Sequence, residues 1–318
     1  MKRFLQAFAC LFLCVSAALA DTGNGIVADK KGNIFYTDLA QVWKIDAQGS
    51  KTIAVPNVHT HELYMDSAGN LFGEHLWYNG EAANSWGHYV WRLTAGGKPE
   101  KVKKDTTGFL DWYSFVRDEA GNMYWLENSI PSNFWKITPA GERKLLGSIA
   151  LRNIGRLHYH KGTLYFYNRD DVYTLREGDS IRLLRSNLYE PAAGTNNQCE
   201  RCIESIWTDT ADNLYIAVSG NKRIRKIDKQ GKISTSYTSS GGWYPVGGAF
   251  SANNTLWVLE YNDRNETRCV PAASKQNKEQ TATNNRFMSW PLVTGISAAI
   301  ICLTGILLIK MKKKPVNE

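Results

Sequence analysis

One short pattern recurs along most of this 318-residue chain: an apolar segment, then Asp-x-x-Gly-Asn, then alternating apolar and aromatic residues. It stands as Asp29-Lys30-Lys31-Gly32-Asn33, Asp66-Ser67-Ala68-Gly69-Asn70 and Asp118-Glu119-Ala120-Gly121-Asn122. Degenerate copies follow at His160-Lys161-Gly162-Thr163, Asp209 to Asn213, and Ser251 to Thr255. An Asp side chain caps backbone amides two residues on, and Gly or Asn accepts a positive φ, so the pattern predicts a tight reversal between two short strands.

After each turn comes a strand: IFYTD, LFGEH, MYWLE, LYFYN, LYIAV and LWVLE. A third strand follows in most units (VWKID, VWRLT, FWKIT, VYTLR, RIRKID), and turns such as Asp46 to Gly49 or Thr138 to Gly141 lead into a fourth. Repeats of about 40–50 residues with four strands each are the signature of a β-propeller, here an all-β disc of six blades. The sixth unit is irregular near Arg264 to Val270 and shows no clear fourth strand.

These residues resemble the NHL-repeat and SMP-30/gluconolactonase-like six-bladed propellers, from Gly23 to about Val270. The resemblance implies a metal-assisted, lactonase-like hydrolase or lyase. Lactonases of that group open their first inner strand with a metal-binding Glu, whereas Asn24 stands near that place here.

The ends of the chain have a different character. Lys2 and Arg3, an apolar run from Phe4 to Ala17 and the small-x-small pattern Ala18-Leu19-Ala20 predict a signal peptide over 1–20. Residues 271–289 are polar and suit a linker; 291–309 carry no charge, and Lys310, Lys312, Lys313 and Lys314 follow. That pattern predicts a single transmembrane helix with 310–318 as a basic cytoplasmic tail and the propeller, 21–270, outside.

The formal charge of +8 largely records this layout, since six basic residues fall in the two terminal segments against one acid, Glu318. A nearly balanced ectodomain offers nothing to nucleic acid, and a monomer is expected. Only Cys199, Cys202 and Cys269 lie between the two apolar segments, too few for a disulfide framework, and Cys199 with Cys202 is expected to form a local bridge in an exposed loop.

In a four-stranded blade the innermost strand begins, and the second ends, on one face of the disc. Second-strand ends supply Asp38, His75, Glu127, Asn168, Val218 and Glu260; inner-strand starts supply Asn24, His61 and Glu62, Tyr113 and Ser114, Ile154 and Gly155, Glu204, and Val246. Five of the first set are polar, which predicts a carboxylate- and imidazole-rich funnel. His59, His61, His75 and Glu62 are the candidate ligands of a divalent metal, with Zn²⁺ and Ca²⁺ both open to mixed imidazole and carboxylate donors. Glu127, Glu204 and Glu260 are the candidate bases. Asp38, Asn168 and Asp111, with Trp77 and Trp86 from the aromatic insertion 77–86, are the candidate ligand contacts. His158 and His160 fall at the far end of their strand and are read as structural. The alternative to an enzyme is a non-catalytic module that presents this face to a small molecule, glycan or protein at the membrane.

Overall fold

The computed structural model describes residues 23–191 and 202–272. Its strands form six antiparallel sheets. Blade one holds β1 (Ile26–Ala28), β2 (Ile34–Thr37), β3 (Val42–Ile45) and β4 (Lys51–Val55); blade two holds β5 (Leu63–Met65), β6 (Leu71–Tyr78), β7 (Trp86–Leu93) and β8 (Glu100–Thr107). Blade three has β9 (Met123–Glu127), β10 (Ser132–Ile137) and β11 (Arg143–Ile149), its innermost segment reduced to a bridge between Arg117 and Met123. Blade four comprises β12 (His158–His160), β13 (Thr163–Asn168), β14 (Asp171–Arg176) and β15 (Arg182–Arg185), and blade five β16 (Ile203–Thr208), β17 (Leu214–Val218), β18 (Arg223–Ile227) and β19 (Ile233–Thr238). Blade six consists of β20 (Trp243–Phe250), β21 (Leu256–Asn262) and β22 (Thr267–Pro271), with no fourth strand among the described residues. The all-β, six-bladed architecture expected from the repeats is therefore present.

The repeated turn works through both of its polar residues. Asp29 Oδ1 accepts from the amides of Lys31 and Asn33, and the Asn33 side chain donates back to Asp29 Oδ2. The same reciprocal pair joins Asp66 to Asn70, Asp118 to Asn122 and Asp209 to Asn213. Gly32 takes the positive φ of 86°, and in blade five Asp212 takes it at 63°. The Asn is thus a donor that locks the hairpin, and the position before it carries the backbone strain.

Apolar clusters join the sheets face to face. Phe35, Val42 and Val55 of blade one meet Leu71 and Trp91 of blade two. Further clusters join blades three and four through Phe134 and Phe166, four and five through Val172 and Ile216, and five and six through Ile224 and Val258. The ring closes where Ile34 and Tyr36 of blade one bury against Val246 and Leu259 of blade six. Among the described residues no such cluster joins blades two and three.

Close approach depends on glycine opposite aromatic rings. A Cβ on Gly73 would run into the Trp91 indole, and one on Gly87, Gly155 or Gly248 would run into Trp77, Tyr167 or Trp207. All six inner segments line an axial cavity of about 510 Å³. The compact unit ends at Ala272, whose amide donates to the Leu256 carbonyl. The signal peptide, linker and transmembrane segment expected over 1–20, 271–289 and 291–309 lie almost entirely outside the described residues, within which no helix is long and apolar enough to cross a membrane.

Because Trp91 is 1% exposed and its indole N–H is tied to the Glu74 carbonyl, it cannot move aside for a methyl group. Gly73→Ala should therefore cost about 1–3 kcal/mol in a denaturant titration, against less than about 0.5 kcal/mol for a surface change such as Lys104→Ala.

Candidate functional site

Strand parity decides which side chains meet. In β6, Leu71, Gly73, His75 and Trp77 share the face packed on blade one, because Leu71 and Trp91 belong to that cluster and Gly73 pairs with Trp91. Glu74, Leu76 and Tyr78 therefore point the other way, with Val90, His88 and Trp86 opposite them on β7. On this second face lies a pocket of about 610 Å³ lined by His61, Glu62, Glu74, Leu76, Tyr78, Trp86, His88, Phe109 and Arg156.

One wall of the pocket is polar. His61 Nδ1 lies 3.0 Å from Glu74 Oε1, and both side chains are about 85% buried, at 14% and 15% exposure. A carboxylate at this distance accepts the Nδ1 proton and leaves Nε2 as the basic nitrogen. That Nε2 is 3.2 Å from His59 Nε2. Burial opposes charge on Glu74, but the hydrogen bond and charge of His61, with Arg156 nearby, hold its carboxyl below the usual range. Arg156 reaches across from blade four to Glu62 at 2.9 Å. Burial raises the Glu62 carboxyl, with the Arg156 charge pulling against it. Glu62 and Arg156 also line the axial cavity, so this ion pair stands where the two spaces meet.

The opposite wall is aromatic. Trp86 meets Phe109 edge to face at 4.7 Å and His88 at 5.7 Å, while His88 stacks on Phe109. Phe109 is 72% exposed and Tyr78 is 56% exposed, which leaves an apolar rim at the mouth.

The remaining predicted residues lie elsewhere. His75 accepts a hydrogen bond from the His59 amide on Nδ1 and rests on Tyr89, on the blade-one side of β6; burial and His59 lower its proton affinity. Trp77 is on that side too, packed on Gly87. Asp38 caps its own turn and accepts from the Trp43 indole, Asn168 donates to the Arg152 and Asn153 carbonyls, and Asp111 is exposed in the connection before blade three. Glu127 holds Asn133 and Trp135. The Glu204 carboxylate accepts from Ser219 at 3.3 Å, and its carbonyl accepts from Asn24 and Tyr167. Glu260 is completely buried, held by Arg268 at 2.6 Å and Tyr237 at 3.0 Å. Cys202 is buried at 1% exposure, in place of the exposed loop position expected, because it directly precedes β16; Cys199 lies outside the described residues. Glu74, Arg156 and Phe109 were not singled out as site residues from the sequence. Counting parity back from Tyr78 would have found Glu74, but nothing local marks Arg156, which arrives from two blades away.

Among the described residues, no three His, Cys, Asp or Glu side chains gather in a group able to hold a metal ion. His59 and His61 offer two nitrogens at a spacing that two ligands of one tetrahedral ion could share, but a zinc centre takes three or four protein donors and calcium takes six to eight oxygens. Glu62 and Glu74 are already engaged with Arg156 and His61. The donor set does not fit a closed metal centre.

No protein-family model matches this sequence, and no curated protein matches it. Solved structures do. An auxiliary nutrient binding protein from Bacteroides ovatus ATCC 8483 aligns at 10% identity and TM-score 0.54, covering 80% of this chain and 70% of that one. A putative gluconolactonase aligns at 11% identity and TM-score 0.51, covering 80% and 92%. The chain has the six-bladed propeller fold of the SMP-30/gluconolactonase-like proteins. A streptogramin B lyase is similar as well, at 14% identity, TM-score 0.48, and 76% and 91% coverage.

Two stability effects follow from the residues outside the pocket. Arg268→Leu strands the Glu260 carboxylate in the core and should cost about 3 kcal/mol by chemical denaturation, much of it recovered when Glu260→Leu is added. His158, bonded to Thr208 at 3.0 Å, has its proton affinity pushed down from 6.5 to about 4, first by burial and then by His160. Between those two values the unfolded chain binds a proton that the folded chain refuses, so stability falls as pH drops through that window. The expected loss is on the order of 2 kcal/mol, and it should shrink in His158→Gln when melting is followed from pH 7 to pH 4.

Proposed function

We propose that this propeller is a proton-transfer enzyme acting on a small molecule, of hydrolase or lyase type, with the blade-two pocket as its site. The single observation that carries the reading is the Glu74–His61 contact of 3.0 Å at the wall of a pocket of about 610 Å³. A carboxylate on Nδ1 orients the ring and stabilises the imidazolium formed when Nε2 takes a proton from water or from a carbon next to a carbonyl. In the resting tautomer His59 Nε2, 3.2 Å away, donates to His61 Nε2, so His61 takes a substrate proton once His59 gives up that lone pair. The Arg156 guanidinium, always charged, is the group able to stabilise a developing oxyanion, with Glu62 orienting it. Trp86, Phe109 and Tyr78 suit the apolar part of a ligand, and the volume suits one of drug size. A metal-assisted, lactonase-like version would need a donor beyond His59 and His61, so no step is assigned to an ion.

Presentation outside a membrane belongs to the same proposal, supported by the uncharged stretch 291–309, the lysines after it, and the leader-like pattern over 1–20. The exposed aromatic rim also supports the second reading, a binding module without chemistry, which the same test separates.

With full-length protein in detergent and p-nitrophenyl acetate or a γ-lactone as probe, His61→Gln should lower kcat/KM at least about 100-fold. Glu74→Gln should lower it less and displace the acid limb of the pH–rate profile, while melting temperatures stay within a few degrees. Turnover unchanged in His61→Gln would overturn the catalytic assignment and leave the binding module.

A further inference from the structure

His88 is the second histidine of this pocket, and it is built differently from His61. It is 6% exposed and lies in the middle of β7, opposite Leu76 on β6. Its Nδ1 is 2.7 Å from the Gly108 carbonyl oxygen. A carbonyl can only accept, so the proton sits on Nδ1, and in the neutral ring Nε2 carries a lone pair. No hydrogen-bond partner for Nε2 is found among the described residues, although the ring lines the pocket between Trp86 and Phe109. Nε2 is not sealed in the core: its lone pair reaches the pocket, where a ligand's O–H or N–H can meet it.

The two pocket histidines therefore share a tautomer and differ in what fixes it. His61 is backed by a carboxylate, which strengthens it as a base; His88 is backed by a neutral carbonyl, and its ring is clamped among aromatic rings, with no ion pair to it among the described residues. The first suits proton transfer and the second suits recognition. Around His88 the wall is Leu76, Trp86 and Phe109, so among the described residues His88 Nε2 is the acceptor that a ligand's apolar part meets there.

We propose that His88 determines specificity: its Nε2 accepts a hydrogen bond from an O–H or N–H group carried on the aromatic part of the ligand, so the pocket selects donor-bearing rings over equally apolar rings without a donor. This rests on the blade-two pocket being the ligand site, but not on any proton transfer there.

Phenol and anisole test it, since they share the ring and only phenol can donate. With the full-length protein in detergent at pH 8, both are titrated at millimolar concentration, following histidine side-chain ¹⁵N shifts and tryptophan fluorescence. Phenol is expected to bind about tenfold more tightly than anisole, and to move the resonance of an unprotonated His88 Nε2 that anisole leaves in place. His88→Phe, which keeps the ring stacking, should abolish the preference; His61→Gln should retain it even if all turnover is lost. Equal affinities, a proton found on His88 Nε2, or binding of neither compound would overturn the proposal. The tautomer and the shift are read on the unmodified protein, so the result stands even if His88→Phe does not fold.

Discussion

The structure depends on apolar burial between neighbouring sheets. No single blade could hold its strands alone, because each presents two half-apolar faces that need partners. Fully buried side chains such as Trp91, Phe134 and Phe166 are worth roughly 1.5–3 kcal/mol each when removed from water. The ring also closes by this means. Blade six lacks an outer fourth strand among the described residues, yet Val246 and Leu259 pack on Ile34 and Tyr36, all four at 1% exposure or less. Strand glycines permit the approach: without a Cβ at Gly248 or Gly73, indole rings lie directly against the neighbouring backbone.

The pocket is the counterpart of that packing. Five junctions are joined by buried apolar clusters, and the face of blade two turned away from blade one instead carries Glu74, His88 and Trp86. Polar side chains survive there because they satisfy one another. Glu74 with His61 and Glu62 with Arg156 keep two carboxylates in a partly dry space that would otherwise reject them. The same chemistry at Glu260, with Arg268 and Tyr237, sits inside a sheet interface with no room for a ligand. Partners and position, rather than residue type, separate a functional carboxylate from a structural one.

Much of this could be read from the chain, with a consistent boundary. The turn residues, the number of blades and the strand assignments depend on neighbours within a few positions, so they are written locally. His59, His61, Glu62 and Trp86 could be placed near one face because strand starts and ends alternate with the turns. The choice between His75 and Glu74 could not be made that way. They are adjacent, and only the pairing of Gly73 with Trp91 against blade one shows which of them faces a neighbour's core and which faces the pocket.

What the sequence by itself determined was therefore the repeat, the propeller and the face on which chemistry could gather, because hairpin geometry is set by short-range backbone preferences and period-2 alternation. Tertiary structure alone decided which side of each sheet meets a core, that Arg156 arrives from blade four to hold Glu62, and that Gly108 pins the His88 ring. Those outcomes turn on contacts between residues 20 to nearly 100 positions apart, whose distances are fixed only once the ring has closed.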